Sequence, residues 1–262
     1  MTLTAWSAIL LYFYFSGRIS AFLHPVFRPF VLISGGVMIL LAIGLAISPL
    51  SGDECCEEEG CAHSLGRMTT GRILTFLILL LPIGAAAAIS SDGFGAGTMM
   101  NRGIVNDATG LKAARQTSLS PTPQQPVQPQ QPTAADEYLP KSKSGNVLIQ
   151  VTDLLYAAQD SSLRSDFQGK TIELTGQLMP DNINNPNGNR FKLVRMLMVC
   201  CAADARPVAV LVDGGANTKI PEMSWVRVTG RATFPTEGGR MMAVVKADSV
   251  VVSDPPEETM LY

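Results

Sequence analysis

The chain is short of charge. Asp, Glu, Lys and Arg make up 16% of its 262 residues, where a soluble globular protein carries about 25%. The deficit is uneven: residues 1–90 hold the long apolar runs, while 143–254 have the make-up of an ordinary small domain. This excludes one soluble globule. Basic excess is also missing, since 143–254 carry twelve Lys and Arg against eleven Asp and Glu. Phosphate binding needs a clustered positive footprint, so the expectation is no nucleic-acid partner. Histidine occurs only twice, at His24 and His63, which leaves the β-rich half without a histidine base. No hydrolytic constellation, phosphate loop or dinucleotide fingerprint occurs, and the expectation is a protein that is not an enzyme. Five cysteines are too few and too clustered for a disulfide framework. They form two knots, Cys55-Cys56-x4-Cys61 and Cys200-Cys201.

What is present begins with membrane-length apolar segments. A bilayer core of ~30 Å takes about 20 apolar residues in helix. Residues 30–50 and 73–90 carry no charge, and Pro82 kinks a span without excluding it. Residues 3–23 make a third candidate, with Arg18 near its end positioned to snorkel. No Lys or Arg precedes Arg18 and no small-x-small site comes after it, which predicts a retained helix rather than a cleaved signal. The reading is a multi-pass protein of the cell (inner) membrane, with three transmembrane helices within residues 1–92. Lys and Arg flank the spans almost evenly, so the positive-inside rule selects no orientation.

Residues 93–142 read as a linker. From 116 it is Pro/Gln-rich, with six prolines and six glutamines in 116–142, the composition of an extended spacer. Such a tether favours an extracytoplasmic position for the domain it carries. Residues 143–254 then give a short strand at 147–151, a helix to about Gln159 capped by Thr152 or Asp153, and five strands separated by Gly, Asn and Pro turns, of which the first, TIELTGQL, alternates cleanly and the second spans 191–200. Gly176 and Gly230 stand where a small barrel bends sharply. The expected fold is a small all-β, OB-fold-like barrel, with a β-sandwich as the alternative, and 255–262 form a tail.

Two clusters carry metal-ligand chemistry. The loop 51–67 places Cys55, Cys56, Glu57, Cys61 and His63 within a few residues. Thiolate and imidazole suit Zn or Cu, and the carboxylates add attraction for any cation. The second cluster is Cys200, Cys201 and Asp204. In a regular strand two adjacent thiols would face opposite sides, so packing accounts for one of them more easily than for both. A thiol-redox role would need a cation to activate a thiolate, and Arg195 and Arg206 are the local candidates.

The segments DFQGKTIELTGQL, RMLMVCCAADARPVAVLV, WVRVTGR and PPEETMLY, behind a three-span region with a ligand-rich loop, resemble the YcgQ-like family of bacterial membrane proteins. The most specific element is the C-C-x-A-D-A run at 200–205. The resemblance implies an accessory subunit paired with an integral-membrane permease for metal ions or small solutes, and it marks Cys200, Cys201 and Asp204. Many members carry a histidine-rich loop where this chain has Cys and Glu, implying a softer ion. The alternative is a structural module whose β-domain docks a permease or envelope partner without binding metal.

Overall fold

The computed structural model describes residues 2–47, 71, 74, 78, 81, 94–107, 110, 140–142, 145–181, 185, 188–214 and 220–262. The chain divides into two compact units, Met1–Ile19 with Pro25–Asp92, and Ser20–His24 with Gly93–Tyr262.

The first unit contains α1 (Thr2–Phe15) and α2 (Arg28–Ile47). A 3-10 turn, Pro25–Phe27, leads into α2, and Pro25–Ile47 together make 23 residues that contain an 18-residue stretch of mean hydropathy 2.7. At 1.5 Å per residue this spans about 34 Å, enough to cross a hydrocarbon core. Large apolar side chains along it are exposed, among them Ile33, Leu40, Leu45 and Ile47. The first segment departs from expectation. Its helix stops at Phe15 instead of running to residue 23, because Ser16-Gly17 ends it with Gly17 in the left-handed region (φ 73°). The two helices meet through small groups. Ser7 Oγ donates to the Gly35 carbonyl at 2.7 Å, and a Cβ on Gly35 would come to 3.0 Å from Leu11. Of the third expected span, 73–90, residues 74, 78 and 81 are helical and the rest lies outside the described residues.

The second unit is a five-stranded barrel with additions. Its elements are α3 (Ala96–Arg102), β1 (Val147–Leu148), α4 (Val151–Gln159), α5 (Ser161–Phe167), β2 (Thr171–Pro180), β3 (Arg190–Leu197), β4 (Arg206–Asp213), β5 (Trp225–Thr233), the small hairpin β6 (Thr236–Glu237) and β7 (Arg240–Met241), β8 (Val244–Val252) and β9 (Met260–Leu261). The strand order β2-β5-β8-β4-β3 closes by pairing of β3 back onto β2. All pairs around this ring are antiparallel except β4 with β8. Closure removes the exposed edges that an open sheet would offer. The register of β5 changes at Thr229/Gly230. Gly230 is required there, because a Cβ would collide with the Lys246 carbonyl oxygen and sit 2.8 Å from Ala247 Cα.

The alternating residues fill the barrel: Ile172 and Leu174, Leu193, Val208 and Val210, Val226 and Val228, and Val245 are all buried. Helix α4 buries Leu154 and Leu155 in the same core. It begins at Val151, with the Asp153 carboxylate accepting the Gln150 N–H at 2.7 Å, so the strand expected to run to 151 ends at Leu148. Helix α5 has no counterpart among the elements expected from sequence; Asp160 caps it by accepting the Ser162 N–H at 2.9 Å. Residues 94–107, placed in the linker by composition, are also folded. Met99 is buried against the outer face of β3 and β4 with Met179, Met196, Met198 and Met260, and Val105 bridges Val208. The segment read as a tail ends in β9, which pairs in parallel with β3 at Met196 and Leu197.

Candidate functional site

Strand β3 ends at Leu197, and the chain turns through Val199–Ala205 before entering β4. Cys200 and Cys201 therefore lie in this turn, beyond the strand, and the opposite-face rule of a regular strand does not govern them. Their sulfurs are 3.7 Å apart and both residues are half-buried free cysteines.

Asp204 folds the turn back on itself. Its Oδ1 accepts the Val199 N–H at 2.9 Å, and its Oδ2 accepts those of Cys200 at 2.8 Å and Cys201 at 3.2 Å. Charge-assisted bonds of this kind are stronger than neutral ones. Burial pushes the Asp204 carboxyl up, but the Cys200 thiol and the three amides outweigh it and hold it below the ordinary carboxylate range. The reciprocal effect is large. Hydrogen bonding to the Asp204 carboxylate, with burial and Cys201 adding to it, pushes the Cys200 thiol up to about 12. This shift runs against activation of Cys200 as a thiolate. Arg195 is remote from this chemistry: it is buried, gives hydrogen bonds to the Thr175 and Glu258 carbonyls, and lies 5.2 Å from the Trp225 ring centroid.

Two distant segments clamp the turn. Ala202 N–H donates to the Phe22 carbonyl at 2.8 Å, His24 N–H donates to the Cys200 carbonyl at 3.1 Å, and Leu23 bridges Cys201. On another flank, Arg102 Nη1 donates to the carbonyls of Ala202 at 2.8 Å and Ala205 at 2.6 Å. The His24 ring meets Tyr262 edge-on at 4.9 Å. A cavity of about 460 Å³ opens over the turn, lined by Arg102, Cys200, Cys201, Ala203, Asp204, Ala205 and Arg206.

The structure thus brings together three of the residues singled out from sequence: one ligand atom each of Cys200, Cys201 and Asp204 lie within 4.8 Å of one another. Two soft thiols and one hard carboxylate are a donor set for zinc-like ions. Cys55, Cys56, Glu57, Cys61 and His63 lie outside the described residues. Sequence reasoning missed Arg102 and the Phe22–His24 strap. Neither leaves a local signal, since each reaches the turn from about 100 residues away or more.

Fold and site together define a class: a five-stranded barrel protein with an apolar N-terminal helix long enough to cross a membrane and a dithiol–carboxylate turn at one end of β3. The chain belongs to the DUF1980 family, matching the DUF1980 N-terminal domain over residues 1–104 and the DUF1980 C-terminal domain over 127–262. No curated protein matches it. Among solved structures it is similar to a small single-stranded DNA-binding protein from Streptomyces coelicolor, at 18% identity and TM-score 0.22, over 32% of this chain and 93% of that one.

Proposed function

We propose that this protein is a membrane-anchored accessory subunit that binds a metal ion on its barrel domain and serves an integral-membrane permease for metal ions or small solutes. The observation that carries the metal reading is the convergence of Cys200, Cys201 and Asp204 within 4.8 Å on a turn already fixed by long-range hydrogen bonds. Such pre-organisation lowers the ordering cost of binding. Zn and Cu are the ions the donors suit. The permease partner rests on the YcgQ-like resemblance. The loop bearing Cys55, Cys56, Glu57, Cys61 and His63 is the second capture site in this reading.

The chain lies in the cell membrane as a multi-pass protein in this account, with its barrel on the extracytoplasmic side. Ser20–His24 belong to the same compact unit as the barrel. With α2 as one crossing, the 73–90 segment is the other in this reading, which returns the chain to the side of Ser20–His24. The OB-like reading of the barrel is supported by its strand order and by the one parallel pair within the five-strand ring, β4 with β8.

One observation favours the structural alternative: both oxygens of Asp204 already serve backbone amides. Metal content and titration of the full chain in detergent separate the two, run beside Cys55/56/61→Ser and Cys200/201→Ser variants. Stoichiometric metal lost from the second variant supports the proposal. Loss only from the first moves capture to the acidic loop. No metal in any sample, with Cys200/201→Ser merely less stable, selects the structural module.

A further inference from the structure

The coordination geometry of the turn narrows the ion, on the reading just given that the turn binds metal. The Cys200 and Cys201 sulfurs stand 3.7 Å apart. With metal–sulfur bonds of about 2.3 Å, that separation corresponds to an S–M–S angle of about 107°, close to tetrahedral. A linear two-coordinate ion with bonds of the same length would need the sulfurs about 4.6 Å apart. The backbone of the turn is tied to Asp204, Phe22, His24 and Arg102, which fixes the positions from which the two side chains project.

The third ligand and the charge point the same way. The Asp204 carboxylate accepts three amide hydrogens and also meets the Cys200 thiol, whose proton leaves when the thiol binds a metal and so frees a carboxylate lone pair. Two thiolates and a carboxylate carry three negative charges. A divalent ion reduces this to one, in a cavity that Arg102 and Arg206 line; a monovalent ion would leave two. All three ligand residues line an open cavity, as in sites that exchange a ligand rather than in closed structural ones.

We infer that the turn is a three-ligand site for a tetrahedral divalent ion of the zinc class, held by Cys200 Sγ, Cys201 Sγ and an oxygen of Asp204. Its fourth position opens to the arginine-lined cavity and takes water or a small anion. Binding is a ligand exchange without redox change: the ion loses waters, the two thiols release their protons to solvent, and two metal–sulfur bonds form.

Cobalt(II) is the probe, added to the reduced full chain in detergent with Cys55/56/61→Ser as background, so that only the barrel thiols respond. The expected result is one equivalent bound, visible bands of tetrahedral intensity, and thiolate-to-cobalt charge transfer of two-thiolate strength, all abolished by one equivalent of Zn²⁺. Cys201→Ser should halve the charge transfer, and azide should shift the visible bands by occupying the open position. Weak octahedral bands, charge transfer unchanged in Cys201→Ser, or insensitivity to azide would overturn the inference. Stoichiometric Cu(I) binding with neither Co²⁺ nor Zn²⁺ bound would overturn this geometry while leaving the metal reading standing. Binding of none of the three would remove the metal reading itself. Tryptophan fluorescence melting, through Trp225 in β5, checks that each variant is folded.

Discussion

Replacing Asp204 by alanine removes the acceptor from three backbone N–H groups at once, those of Val199, Cys200 and Cys201. A hydrogen bond to a charged group contributes about 1.5–3 kcal/mol. Two of these bonds are short, at 2.9 and 2.8 Å, and the third is long at 3.2 Å. The turn is half-buried, so water replaces part of what is lost, and the expected net cost is about 3 kcal/mol. For a domain of this size that lowers the melting temperature by roughly 10 °C. Asp204→Asn keeps one acceptor oxygen, which can still serve the Cys200 and Cys201 amides, and should cost about half as much. The assay is thermal unfolding of the full chain in detergent followed by tryptophan fluorescence, with hydrogen exchange read at the amides of residues 199–201. Protection at those amides should vanish in Asp204→Ala. A melting temperature within about 2 °C of the parent, with the three amides still protected, would refute the claim that Asp204 holds the turn.

Gly230→Ala should be among the most damaging single changes in the barrel, costing about 3 kcal/mol or more, because its Cβ meets backbone atoms of Lys246 and Ala247 that cannot rotate away; thermal melting checks it, and a neutral result would show the β5–β8 register to be wrong. Arg195→Met removes the donor that holds the Glu258 carbonyl at 2.7 Å. It should speed hydrogen exchange across residues 258–261 while leaving β5 protected, and unchanged exchange there would contradict this role. Cys200 should alkylate slowly at neutral pH. With its thiol pushed up to about 12, the reactive thiolate is about one part in 10⁴ at pH 8 and rises tenfold per pH unit up to that value. Site-resolved mass spectrometry measures the rate, and rapid modification of Cys200 at pH 7 would revive a thiol-redox reading.

The five barrel strands are legible in the sequence because each is a short alternating or apolar run bounded by turn residues; β5 alternates throughout, while β3 and β4 are buried along most of their length. TIELTGQL is the plainest case, and its continuation to Pro180 comes from pairing with β3. The end of α1 is written in Ser16-Gly17, but the apolar residues beyond it mask that signal in a hydropathy reading. Phe94–Asp107 has the composition of a linker because its hold on the barrel is tertiary: Met99 packs among methionines from β2, β3 and β9, a pattern with no local periodicity. The short helix α5 is hidden because Asp160 both ends α4 and caps the next helix. At the site, residue types are enough to single out Cys200, Cys201 and Asp204. That the two thiols share one side of a turn depends on where β3 stops, and the clamp depends on Phe22, His24 and Arg102, which only the folded chain brings near.

X-ray absorption at the zinc edge, on the zinc-loaded full chain carrying Cys55/56/61→Ser, tests the central claim most directly. The account predicts two sulfur scatterers at about 2.3 Å and one or two oxygen scatterers at about 2.0–2.2 Å. A first shell of oxygen and nitrogen alone, with no sulfur, would contradict it.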